Sequence, residues 1–176
     1  GRALVVVDEA YGEFASHPGY AARLGEFPHL VVLRTLSKAH GLAGARVGSL
    51  IAGAPIVALL RKIIPPYAMA QPTVEAAMQA LQPAAQAVAR QRIAATLTER
   101  ARLAAALAAS PRVARVWPSA ANFLLVEFQD AGTALRDIMD AGLIVRDFRG
   151  AAGLGEALRV TIGTPEQNDR VIRSLS

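Results

Sequence analysis

Lys38 is one of only two lysines in a chain with seventeen arginines, and it stands in "TLSKAHGLAGARVG", residues 35–48, between a serine and a glycine-rich turn. A primary amine can condense with an aldehyde, which a guanidinium does not usefully do. Thirty residues earlier, "VVVDEAY" places Asp8 and Tyr11 just after an apolar run. Open α/β sheets set their ligands beyond the carboxyl ends of the strands. Asp8 and Tyr11 after the first run would therefore share one edge and one pocket with Thr35, Ser37 and Lys38 after the second, and Arg46 follows eight residues after Lys38. A carboxylate, a phenol, a hydroxyl, an amine and a guanidinium together suit a phosphorylated, protonatable aromatic cofactor. A lysine after a strand is ordinarily a surface charge and an acid pair ordinarily ends a strand; here the company they keep singles them out. Arg159, in "LRVTIG", lies within an apolar strand where an unpaired charge is costly, which points it toward a ligand.

The elements that must position these groups can be read from the pattern. Residues 4–7 form a β-branched apolar run ending abruptly in acids, as in a strand covered on both faces of a parallel sheet. Residues 30–33 and 47–52 repeat the pattern, and residues 54–64 form a short helix stopped by Pro65 and Pro66. From 72 to 109 the pattern is helical, split at Pro83, and the second piece is long enough to link two parts. Beyond it the order is strand 113–117, strand 123–128, helix 131–140, strand 143–146, strand 158–162 and helix 165–175, a compact α+β unit. Thr164-Pro165, followed by Glu166, suits the start of the last helix. Three strands alone leave an open edge and uncovered apolar faces, so the first part reads as incomplete.

Composition narrows the classes. The 176 residues, 53% of them hydrophobic, can build a substantial core. No apolar run reaches a membrane span and acids follow too early for a signal peptide, so the expected place is the cytoplasm, with no membrane partner. The absence of cysteine excludes disulfides and thiolate sites, and His17, His29 and His40 lack ligand spacing, so no metal is expected. The net charge of +5 is spread over arginines that often stand beside acids, as in "LTERARL", and aromatics are only 5%; no nucleic-acid partner is expected.

"VVVDEAY", "LRTLSKAHGLAGARVG", "NFLLVEF" and "LRVTIGTPEQN" occur in an order that resembles the pyridoxal-phosphate-dependent aminotransferases of fold type I, class II, nearest the histidinol-phosphate branch. The resemblance covers nearly the whole chain but only the C-terminal half of such proteins. It implies an α/β fold: residues 1–82 as the C-terminal part of a large cofactor-binding domain, a mostly parallel sheet with helices, then a small α+β C-terminal domain, residues 83–176, entered through the long helix. It further implies that Lys38 forms an imine with pyridoxal 5'-phosphate and shuttles the proton. Asp8 would pair with the pyridine nitrogen, Tyr11 bond the phenolic oxygen, and Ser37 and Arg46 bind the phosphate. Arg159 and Arg146, the latter in "IVRDF", match arginines that grip the anionic end of the substrate.

The activity so implied moves an amino group between histidinol phosphate and 2-oxoglutarate, in a homodimer. An aromatic amino-acid aminotransferase, a fold type I amino-acid phosphate decarboxylase and a non-catalytic half-domain are the alternatives. His40 stands where relatives commonly carry an aromatic and is expected to pack. Ser49 stands where many carry a tyrosine. Both are departures from the pattern. Lys62, on the helix before Pro65, reads as a surface or helix-end charge. The family's N-terminal half would supply the rest of the phosphate cup, an aromatic over the cofactor ring, an asparagine and most of the sheet. The chain is accordingly expected to be a fragment, inactive alone.

Overall fold

The computed structural model describes residues 3–176, which divide into two compact units, one running to Arg92 and the other from Ile93 to Ser176. The dividing point falls inside a single helix.

The first unit holds a three-stranded sheet of β1 (Val5–Asp8), β2 (Leu30–Thr35) and β3 (Gly48–Ala52), in that spatial order. β1 and β2 are parallel, with Asp8 opposite Leu33. β3 adds to the other side of β2 in the antiparallel sense, with Thr35 opposite Gly48, because the glycine-rich turn simply reverses the chain. Leu30, Val31 and Val32 are buried, as is Phe14 from the loop after β1.

β1 departs from the doubly covered strand expected of its sequence. Leu4 and Val6 are 59% and 57% exposed, because β1 pairs only with β2 among the described residues and its apolar faces lack cover there. Helix α1 (Ala54–Arg61) ends three residues earlier than the pattern suggested, and exposed Lys62 forms its C-terminal cap. Helix α2 (Gln71–Ala80) and helix α3 (Pro83–Ala108) are separated at Pro83. With 26 residues, α3 is about 39 Å long at about 1.5 Å per residue. Among the described residues no helix is long and apolar enough to cross a membrane.

The second unit is built on an antiparallel sheet in the order β4 (Val113–Val116), β5 (Phe123–Phe128), β7 (Ala157–Thr161), β6 (Arg146–Asp147). Along β5 every second residue turns inward, so Leu124, Val126 and Phe128 are buried, as strand geometry requires. They meet Leu103 and Leu107 of α3, Ile138 of α4 (Ala131–Asp140), Leu158 and Val160 of β7, and Val171 of α5 (Pro165–Ser174) in one core.

Both short helices have capped starts. Asp130 accepts from the Thr133 amide, and Thr164 forms a reciprocal box with Gln167 while Pro165 fills the first turn. The strand expected at 143–146 shrinks to Arg146–Asp147. Gly142 takes a left-handed conformation (φ 73°) and the Leu143 amide reaches back to the Ile138 carbonyl, so Leu143 still belongs to the helix terminus.

Candidate functional site

β1 and β2 run side by side and finish at Asp8 and Thr35, and β3 starts opposite Thr35. That brings Asp8, the turn bearing Tyr11, the Ser37–Lys38 segment and Arg46 to one end of one sheet. Asp8 Oδ1 accepts the Ala10 amide at 2.9 Å, which turns the chain toward Tyr11, and its carboxylate is exposed. Lys38 is exposed too, and its Nζ lies 5.2 Å from the centroid of the Tyr11 ring. The structure therefore brings these two side chains together across 27 residues of sequence.

Polar contacts close the loop that carries Lys38. Thr35 Oγ1 lies 2.8 Å from Ser37 Oγ and 2.9 Å from the Val47 carbonyl, and it accepts the Ser37 amide at 3.1 Å. The Leu36 amide donates to Val47 O, and Gly41, at φ 69°, lets its amide return to Lys38 O. Arg46 is held at φ 56°, a left-handed conformation uncommon for a side chain of its size, and its Nη1 donates to Ala43 O at 3.1 Å. His40 is half-buried and Ser49 exposed.

Glu9 behaves unlike its neighbour. Alternation along the strand end turns it to the face opposite Asp8, where its side chain is only 7% exposed. Arg34 Nε and Nη2 both lie 2.9 Å from Glu9 Oε2, and the Tyr20 amide donates to Oε1 at 2.6 Å. Gly19 sits at φ 84°, and a Cβ there would stand 2.8 Å from Glu9 Oε2 and 2.9 Å from Arg34 Nη2. In the sequence Glu9 and Arg34 look ordinary, an acid at a strand end and an arginine within "LRT". The signal lay in the alternation: Asp8 and Glu9 cannot face the same way.

In the second unit, Arg146 on β6 stands directly opposite Arg159 on β7. Directly paired strand residues share a face, and like charges so placed repel. The Arg159 Nε is buried without a hydrogen-bond partner, while its guanidinium lies 5.0 Å from the Phe123 ring centroid and 5.9 Å from that of Phe148. An orphaned cationic donor beside a second cation is a donor set suited to an anion. Asp147 pairs instead with Arg149 at 2.7 Å, and this guanidinium, together with the Arg149 amide, holds the Asp147 carboxyl down at about 2.

Compared with known families, residues 2–175 match aminotransferase class I and II, and the chain belongs to that family. Among curated proteins it is 53% identical over 176 residues to the histidinol-phosphate aminotransferase of Stenotrophomonas maltophilia (strain R551-3), covering 100% of this chain and 48% of that protein. It is 55% identical over 175 residues to the histidinol-phosphate aminotransferase of Xylella fastidiosa (strain 9a5c), covering 99% and 48%. Among solved structures, the histidinol-phosphate aminotransferase from Sinorhizobium meliloti in complex with pyridoxal-5'-phosphate shares 31% identity and a TM-score of 0.77, covering 98% of this chain and 50% of that one. The chain thus spans about half the length of the curated relatives it matches.

Proposed function

We propose that this chain is the lysine-bearing part of a pyridoxal-phosphate-dependent aminotransferase whose amino donor is histidinol phosphate and whose acceptor is 2-oxoglutarate. The observation that carries the reading is the meeting of Lys38 with Tyr11 at the sheet end where Asp8, Ser37 and Arg46 also stand. The donor set fits the cofactor. Arg46 and Ser37 supply a fork and a hydroxyl for a phosphate, Tyr11 a phenol for the ring oxygen, Asp8 a carboxylate for a ring N–H, and Lys38 the sheet end's amine.

When bound, pyridoxal phosphate supplies an aldehyde carbon that couples to amines and a ring that accepts electrons from the substrate carbon. This chain's residues would do the rest. Asp8 would keep a proton on the ring nitrogen by its negative charge. Lys38 Nζ would take the proton from the substrate's α-carbon and deliver it to the carbon that the cofactor contributes, so that the amino group can stay with the cofactor. Tyr11, against Lys38, orients the amine. Arg159 and Arg146 hold the anionic end of the donor.

High identity to relatives named for histidinol phosphate supports that donor over aromatic or decarboxylase substrates. The same reading carries a homodimer in the cytoplasm, with a small amino donor and a 2-oxo acid as partners. The test is a donor panel on this chain joined to the N-terminal half that its relatives carry: the complete protein, supplied with pyridoxal phosphate and 2-oxoglutarate, is given histidinol phosphate or phenylalanine, and glutamate is measured. Glutamate formed from histidinol phosphate supports the assignment. Glutamate formed from phenylalanine alone overturns it, and none from any donor leaves the half-domain reading in its place.

A further inference from the structure

We propose that Glu9 and Arg34 are positioning residues: their ion pair, on the face of the strand ends opposite Asp8, sets where Asp8 and Tyr11 stand relative to Lys38. What the positioned groups do rests on the functional reading above, whereas the positioning is a property of the chain alone.

Glu9 is the joint of this region. Its amide donates to Leu33 O on β2 at 2.8 Å, and its carbonyl accepts the Gly12 amide at 2.9 Å. Its carboxylate is engaged at both oxygens, by Arg34 on one and the Tyr20 amide on the other. Tyr11 lies inside the turn that Glu9 closes, and on the far side the Phe14 amide donates to Tyr11 O while the Phe14 ring is buried. The backbone of Tyr11 is thus tied at both ends, and one end is Glu9.

Arg34 is the matching joint on β2. It precedes Thr35, whose hydroxyl holds Ser37 and the Val47 carbonyl, and its own carbonyl would stand 3.0 Å from a Cβ at Gly48. Through the pair, the strand end bearing Asp8 and Tyr11 is fixed against the one bearing Ser37 and Lys38. Stability does not by itself account for such a pair, because an ion pair whose arginine is 41% exposed is screened by solvent and adds little. The left-handed glycine packed against both charged groups shows how closely the chain is fitted to them.

The test uses Glu9→Gln, Arg34→Lys and the apolar double variant Glu9→Leu/Arg34→Met. In the cofactor-free chain, the nuclear Overhauser contact between the Lys38 side chain and the Tyr11 ring is measured beside the melting temperature. With pyridoxal phosphate added at a fixed concentration, the rate of borohydride-trapped labelling at Lys38 is measured. Positioning predicts that folded variants lose the contact and label roughly tenfold to a hundredfold more slowly, as for displacements of about 1 Å. A folded variant that keeps the contact overturns the proposal, and so does one that labels at the wild-type rate. Arg34→Lys, which keeps the charge and loses the fork, decides the matter if the others unfold. If wild-type Lys38 takes no label yet the contact still depends on Glu9, the positioning stands and the functional reading fails.

Discussion

Replacing Gly19 by alanine tests the fit around Glu9 through a single methyl group. At φ 84° an alanine enters the left-handed region at a cost of about 1–2 kcal/mol. Its Cβ would also stand 2.8 Å and 2.9 Å from the Glu9 carboxylate oxygens and 2.9 Å from Arg34 Nη2. Those atoms end flexible side chains, but two hydrogen bonds and an ion-pair contact pin them, and displacing bonds to a charged group costs about 1–3 kcal/mol more. The sum is about 2–5 kcal/mol. The chain divides into two compact units, so one global midpoint is a poor reporter of the first. Amide hydrogen exchange of Val31, Val32 and Leu33, read by mass spectrometry, isolates the first unit. Exchange there should quicken by about thirty-fold to several-thousand-fold at about 1.4 kcal/mol per tenfold. In a Glu9→Gln background the same alanine should cost less, because part of the pinning is gone. Exchange within twofold of wild type would refute the view that Gly19 is fitted to a fixed carboxylate.

Three further outcomes are expected. Arg149 holds the Asp147 carboxyl at about 2, below its ordinary 3.8, so the stabilisation it gives is complete above about pH 3.8 and is lost as the pH falls through about 2; acid titration of unfolding should show a shallower loss over that window in Asp147→Asn, and equal slopes would contradict this. Asn168, 1% exposed, donates to Glu99 at 2.7 Å and to Gly163 O at 3.1 Å and accepts Gly163 N at 2.9 Å; Asn168→Leu should lower urea stability, followed by Trp117 fluorescence in the same unit, by about 2–4 kcal/mol, and a loss under about 1 kcal/mol would count against it. In the complete protein, Arg159→Leu should raise the KM for an anionic donor by about tenfold to a hundredfold while leaving cofactor labelling of Lys38 unchanged; an unchanged KM would contradict the proposed donor-binding role of Arg159.

Much of this architecture is legible in the residues. The alternating run at 123–128 gives β5 its two faces, Pro83 separates α2 from α3, and Thr164-Pro165 starts α5. The common edge of Asp8 and Lys38 follows from two apolar runs that end in polar groups. What escapes the sequence is what depends on neighbours. A run such as "LVVV" asks for cover on both faces but does not say where the cover comes from, and β1 stands exposed. Strand direction is equally silent, and β3 turns out antiparallel to β2. The pattern at 143–146 suits a strand, yet Gly142 extends the helix terminus through Leu143. The opposition of Arg146 and Arg159 exists only in the register, and the division of labour between Asp8 and Glu9 only in the alternation of the chain.

The most direct measurement is the site of covalent capture. The chain is mixed with pyridoxal phosphate, reduced with borohydride, digested, and the adduct mapped between Lys38 and Lys62, with Lys38→Ala alongside. A saturable label on the Lys38 peptide that vanishes in Lys38→Ala is expected. Equal labelling of both lysines, or a label that survives the substitution, would contradict it.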